Sequence, residues 1–80
     1  MTRTEALEWI ANLFEEAVEV IKPETSRQDI PGWDSLGMLT LMAALDEKFN
    51  IVMSEKELED LNKIDDILDV IRRHGKLDYA

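Results

Sequence analysis

Ser35 is the residue of this chain whose type and setting point most directly to chemistry. It stands between Asp34 and Leu36, where a predicted turn (Gly32 and Trp33) meets an apolar helix. Asp34 can cap that helix, and the free backbone N–H groups and the dipole of a helix N-terminus favour an anionic group on the serine hydroxyl. No histidine is near in sequence, so the pattern indicates a serine that another protein modifies.

Other catalytic and metal-binding patterns are weak. The one histidine, His74, falls in a charged turn far from Ser35, where it complements the negative end of a helix. The chain has no glycine-rich phosphate loop, no HExxH motif and no calcium-loop spacing, and Glu59 and Asp60 belong to a plain acidic surface. We therefore expect no enzyme and no metal site, with a hydrolase as the most remote alternative.

Length and composition predict one small domain spanning residues 1–80. The 80 residues are 45% hydrophobic, which is ample for a single small core and too much for a disordered chain. No cysteine is present, so disulfides and thiol chemistry are excluded. No apolar run reaches membrane length, and the N-terminus reads as an amphipathic helix rather than a signal peptide. These features predict a monomeric cytoplasmic protein without a membrane span.

The charge balance restricts the possible partners. A net charge of −9 and a pI near 4.4 argue against nucleic acid and anionic membranes. Acidity favours proteins that present basic patches, although it also serves solubility alone, and composition does not separate these two interpretations.

Hydrophobic periodicity predicts an all-α fold, a small four-helix bundle with three main helices and one short helix. The predicted helices span about residues 4–21, 35–50, 54–61 and 65–74. Capping boxes are expected at Thr2 with Glu5 and at Ser54 with Glu57, and Gly75 is a natural stop for the last helix. In the long connection over residues 22–34, Ile30 and Trp33 should anchor the loop to the core.

The second predicted helix is apolar on almost every side over its first three turns. A helix of this kind cannot be fully surrounded in so small a domain, so part of it should be available for binding.

From Asp29 to about Ile71, the chain resembles the acyl carrier protein family. The match includes the Asp-Ser-Leu triplet at residues 34–36, the apolar helix to Leu45 and the closing segment Asp46-Glu47-Lys48-Phe49-Asn50-Ile51. It continues through the short acidic helix after Ser54 and the final helix. The first helix and long loop agree in length and placement, so nearly the whole chain is covered.

The resemblance implies a carrier rather than a catalyst. Ser35, flanked by Asp34 and Leu36, would receive a 4′-phosphopantetheine arm from coenzyme A through a separate phosphopantetheinyl transferase. The arm's thiol would hold an acyl group as a thioester for enzymes of fatty-acid, lipid or polyketide-type biosynthesis. Apolar residues between the helices would shelter the acyl chain: Leu41, Leu45, Ile51, Ile64 and Ile67.

The chain departs from the family pattern where partners dock. Fatty-acid carriers usually place acidic residues after the triplet, whereas Gly37 and Thr40 stand at those positions here. Docking on basic enzyme patches should therefore depend more on apolar side chains, with Met38 and Thr40 both expected to be exposed. The predicted partner-binding residues are Met38, Leu39, Thr40, Met42, Asp46, Glu47 and Glu55.

Two alternatives stay open at this point. Gly37 after the Ser-Leu pair is similar to D-alanyl carriers, and Gly32-Trp33-Asp34-Ser35 partly matches the opening of peptide-synthetase carriers, which would make the cargo an aminoacyl group. The other alternative is an unmodified helical interaction module, in which Ser35→Ala would leave the function intact.

Overall fold

The computed structural model describes residues 1–78 and confirms the predicted all-α bundle. Its helices are α1 (Arg3–Leu13), α2 (Ser35–Phe49), α3 (Glu55–Glu59) and α4 (Ile64–Arg73). Two single 3₁₀ turns, at Val18–Val20 and Arg27–Asp29, lie in the connection between α1 and α2. Three longer helices and one short helix are thus present in the expected order.

The predicted end of the first helix is wrong. Instead of continuing to residue 21, α1 ends at Leu13, and Glu15 turns the chain away with a positive φ of 54°. The amide N–H of Glu16 donates to the carbonyl of Ala11 at 2.9 Å, and that of Glu15 donates to Asn12 at 3.3 Å. This is the Schellman arrangement that usually ends in glycine, so a glutamate at its left-handed position leaves little signal in the sequence.

The remaining helix boundaries agree with prediction to within two residues. Both predicted capping boxes are present, at Thr2 with Glu5 and at Ser54 with Glu57. Gly75 has a φ of 71° immediately after the C-cap of α4 and ends that helix as expected. Capping chemistry therefore defined these helix ends where the correct residues were present.

A single hydrophobic core joins all four helices. Trp9 of α1 packs edge-on against Phe49 of α2, with ring centroids 5.3 Å apart. The connection contributes Ile30 and Trp33, each 3% exposed, which confirms that these two residues anchor the loop. The most deeply buried large side chains are Ile10, Ile21, Leu41, Leu45, Ile51, Ile64, Ile67, Leu68, Val70 and Ile71.

The middle of the connection is fastened to the turn between α3 and α4. Ser26 and Lys63 form an isolated antiparallel bridge. Beside it, the Arg27 amide donates to the Asn62 carbonyl at 2.8 Å, and the Ile64 amide donates to Thr25 at 3.0 Å. These backbone contacts hold the 3₁₀ turn at residue 27 against the turn between α3 and α4.

Across residues 1–78, no helix combines the length and apolar character that crossing a membrane requires.

Candidate functional site

Ser35 is the first residue of α2 and is exposed. Asp34 is the N-cap, as predicted, and its carboxylate accepts a hydrogen bond from the Gly37 amide at 2.8 Å. No described residue forms a hydrogen bond with the Ser35 hydroxyl, so within residues 1–78 no side chain is placed to take its proton. The geometry presents a free hydroxyl at the positive end of a 15-residue helix, which is favourable for an attached anion.

Two glycines bring three backbone segments into contact beneath this serine. A Cβ on Gly37 would lie 2.0 Å from the Gly32 carbonyl oxygen, and a Cβ on Gly32 would lie 2.0 Å from the Phe14 carbonyl oxygen. Neither position accommodates a side chain without moving backbone. Gly37 is therefore a packing residue that seats the first turn of α2 on the loop.

Trp33 and Met38 form a second inward contact. The Trp33 indole N–H donates to the Met38 sulfur at 3.0 Å, and its ring stacks on Phe14 with centroids 5.3 Å apart. Met38 is only 8% exposed, so the prediction that it is exposed is wrong. On a helix that is apolar on nearly every side, periodicity did not show which methionine faced the loop.

A cleft of about 250 Å³ opens beside Ser35, between α2 and α3. We call it the α2–α3 cleft, and it is lined by Arg27, Ser35, Met38, Leu39, Glu55, Leu58 and Glu59. Four of these lining residues were predicted site residues: Ser35, Met38 and Leu39 from α2, and Glu55 from α3. Sequence reasoning missed Arg27 and Leu58, although Arg27 is one of only two basic residues in the connection over residues 22–34.

The other predicted site residues lie outside this cleft. Asp34, Leu36 and Thr40 border a separate cavity of about 410 Å³ on the α1 side. Leu36 is 73% exposed and Leu39 is 52% exposed, so two large apolar side chains project from the first turns of α2. Further along α2, Met42 is half-buried, whereas Asp46 and Glu47 are exposed.

The five residues expected to shelter an acyl chain all lie at the centre of the core. Each is at most 1% exposed: Leu41, Leu45, Ile51, Ile64 and Ile67. Two of them come from α2, two from α4 and Ile51 from the segment that follows α2, and all five belong to the one hydrophobic core cluster.

The side of the cleft opposite α2 is formed by α3, a short helix whose N-terminus is held by a capping box. In α3, the Ser54 amide donates to the Glu57 carboxylate at 3.0 Å, and the Ser54 hydroxyl accepts from the Glu57 amide at 3.2 Å. Hydrogen bonding with Ser54 lowers the pKa of Glu57 below its ordinary value, and the backbone amide of Ser54 has a larger effect than its hydroxyl. Among residues 1–78, no group of three or more acidic, histidine or cysteine residues is arranged to hold a metal ion.

Comparison with known proteins points to one family. Residues 7–71 match the family model described as a phosphopantetheine attachment site. A Clostridium acetobutylicum protein named acyl carrier protein is 39% identical over 54 residues, covering 68% of this chain and 70% of the relative. Proteins of the same name from Syntrophobacter fumaroxidans and Campylobacter curvus are 32% and 36% identical, covering 81% and 72% of this chain and 80% and 75% of the relatives. No solved structure matches this chain significantly.

Proposed function

This chain belongs to the acyl carrier protein family and carries its phosphopantetheine attachment domain, and we propose that Ser35 is the residue that receives the arm. The observation that supports this assignment is the position of Ser35: exposed, first in α2, next to the Asp34 cap and at the mouth of a cleft. An oxygen there is accessible to a second protein.

The environment of Ser35 indicates what the partner must provide. Transfer from coenzyme A joins the serine oxygen to phosphorus, displaces the nucleotide part and releases the hydroxyl proton. Since no residue within 1–78 forms a hydrogen bond with the hydroxyl, we expect a phosphopantetheinyl transferase to supply the base that takes this proton. The chain itself contributes an exposed hydroxyl and the helix field that favours the resulting phosphodiester.

The bound arm supplies a thiol, which this cysteine-free chain lacks, and the thiol holds an acyl group as a thioester. Acyl carrier proteins transport such groups and do not catalyse, so the expectation that the chain is not an enzyme is confirmed by its family. We propose delivery to enzymes of fatty-acid, lipid or polyketide-type biosynthesis in the cytoplasm, by a monomeric carrier. Sheltering an acyl chain among Leu41, Leu45, Ile51, Ile64 and Ile67 would require α2 and α4 to separate, because these residues are fully packed.

Partner enzymes should dock on the outward face of α2. Leu36 and Leu39 present exposed apolar surface. Asp46 and Glu47 of α2, together with Glu55 of the neighbouring α3, supply the charge that a basic enzyme patch would meet. Thr40 and the half-buried Met42 lie on the same helix and complete the proposed contact. Met38 is mostly buried and lines the α2–α3 cleft.

The aminoacyl-carrier alternative loses one of its two supports. Gly37 resembles the residue found in D-alanyl carriers, but close contact with the Gly32 carbonyl already requires glycine there. Only the partial match at residues 32–35 then favours an aminoacyl cargo, and we do not propose one.

Intact mass after incubation with coenzyme A, magnesium and a phosphopantetheinyl transferase tests the assignment. We expect the wild type and the control Ser26→Ala to gain one phosphopantetheine each, and Ser35→Ala to gain none. Circular dichroism should show Ser35→Ala to be folded, because Asp34 still caps α2.

Two results would contradict the proposal. Loading of Ser35→Ala would move the attachment site elsewhere. Failure of the wild type with several transferases would leave the unmodified helical interaction module as the better interpretation.

A further inference from the structure

We propose that Arg27 is a positioning residue, whose guanidinium binds the phosphodiester formed on Ser35 and holds the first part of the arm in the α2–α3 cleft. This inference rests on the proposed function of Ser35. It concerns a residue in the connection between α1 and α2, outside the Asp-Ser-Leu triplet. Arg27 and Ser35 line the same cavity of about 250 Å³.

The backbone of Arg27 is held in place from two sides. Its amide donates to the Asn62 carbonyl at 2.8 Å, and its carbonyl accepts from the Ile30 amide at 3.1 Å. The neighbouring Ser26–Lys63 bridge ties the same segment to the start of α4. The side chain therefore projects from a fixed 3₁₀ turn rather than from a loose loop, which reduces the entropy lost when it binds an anion.

The guanidinium of Arg27 has no bonding partner in the described part of the chain. Within residues 1–78, Arg27 forms no side-chain hydrogen bond and no ion pair, although it is partly buried. By contrast, Arg72 and Arg73 on α4 both pair with Asp69. A planar guanidinium with free N–H groups matches the oxygens of a phosphodiester through paired, charge-assisted hydrogen bonds.

The charges around the cleft give Arg27 a specific role. Of the seven described residues that line it, Arg27 is the one cation, whereas Glu55 and Glu59 are acids on the opposite wall. Asp34, the acidic cap beside Ser35, borders the other cavity. A phosphodiester on Ser35 would thus be repelled by α3 and attracted by Arg27, which places it on the Arg27 side of the cleft.

Four proteins test this inference in both unmodified and fully loaded forms: wild type, Arg27→Gln, Arg27→Lys and the control Arg3→Gln. Arg3 is exposed at the start of α1. Calorimetry gives the change in Tm on loading for each protein, at low and high salt. NMR of the arginine Nε–H groups in the wild type follows Arg27 and Arg3 directly and does not depend on whether any variant folds.

We expect loading to shift the Arg27 Nε–H resonance and to leave that of Arg3 unchanged. Arg27→Gln should lower the loading-dependent gain in Tm by about 1–5 °C at low salt, the order expected for a partly exposed ion pair in a domain of this size. High salt should reduce this difference, Arg27→Lys should retain part of the gain, and Arg3→Gln should behave as the wild type.

An Arg27 resonance that does not move in fully loaded protein, with equal Tm gains in all four proteins, would overturn the inference. That result differs from failure of the proposed function. If Ser35 receives no arm, intact mass shows it before any of these measurements, and both proposals then fall.

Discussion

The first two turns of α2 have an inward face and an outward face that differ sharply although both are apolar. Inward, Gly37 and Met38 are buried against the Gly32 carbonyl and the Trp33 indole. Outward, Leu36 is 73% exposed and Leu39 is 52% exposed. The inward face fixes the position of Ser35, whereas the outward face is exposed and is the surface on which we propose that partner enzymes dock.

This division shows that hydrophobicity alone does not assign a role along such a helix. Burial of Met38 depends on a loop that approaches from residues 32–33. No segment within residues 1–78 covers Leu36 and Leu39, which are therefore exposed. The two faces should therefore respond very differently to the same substitution.

Met38→Glu and Thr40→Glu test this contrast most strongly. Glutamate at Met38 would place a carboxylate at a mostly buried position and remove the sulfur that accepts from Trp33, so we expect a loss of about 2 kcal/mol or more in the free energy of unfolding. Thr40 is exposed, and the same new side chain there should change stability by less than about 0.5 kcal/mol. Urea unfolding measures both values, and similar losses in the two proteins would refute the division into faces.

Gly37→Ala examines the inward face with a single methyl group. In an exposed helix this change stabilises by about 1 kcal/mol, because alanine is the better helix former. Here the methyl would meet the Gly32 carbonyl at 2.0 Å, and we expect a net destabilisation of about 1–2 kcal/mol.

Thermal unfolding of Gly37→Ala should be compared with that of Ala43→Gly at an exposed position of the same helix. Ala43→Gly measures the propensity term alone. A stabilised Gly37→Ala protein would show that the loop does not press on the helix.

The smallest expected effect concerns α3, the helix that lies across the α2–α3 cleft from the exposed side chains of α2. Since the pKa of Glu57 is lowered in the folded protein, its capping contribution is complete above its ordinary pKa and is lost as pH falls through the lowered value. Stability of the wild type should therefore fall more steeply below about pH 4 than that of Glu57→Gln. Calorimetry below about pH 5 measures how Tm depends on pH in both proteins, and Glu59→Gln, which lies outside the capping box, is the control. An equal dependence of Tm on pH in the wild type and Glu57→Gln would contradict the cap assignment.

The sequence predicted those features that depend on a few adjacent residues. Asp34 as N-cap, the Ser54–Glu57 box and the Gly75 stop are each local hydrogen-bonding or backbone preferences, and all three are present. For the same reason, the position of Ser35 at the start of α2 was predictable.

Features that depend on distant contacts were not predictable. The apolar spacing of Phe14, Val18 and Ile21 continued a helical pattern, yet α1 ends earlier because the chain adopts a left-handed turn at Glu15. Phe14 instead stacks on Trp33, and Val18 is 42% exposed. Arg27 reaches the cleft only through backbone pairing with residues of the α3–α4 turn, a contact between segments more than thirty residues apart.

The setting of Trp33 gives this protein a built-in optical reporter. Its indole lies two residues before Ser35, between the Phe14 ring and the Met38 sulfur, while Trp9 lies against Phe49 at the other end of α2. Indole emission is sensitive to a nearby thioether and to contact with water. Fluorescence of a Trp9→Phe protein would therefore follow loading of the arm, or docking of an enzyme at the start of α2, in real time and without an added label.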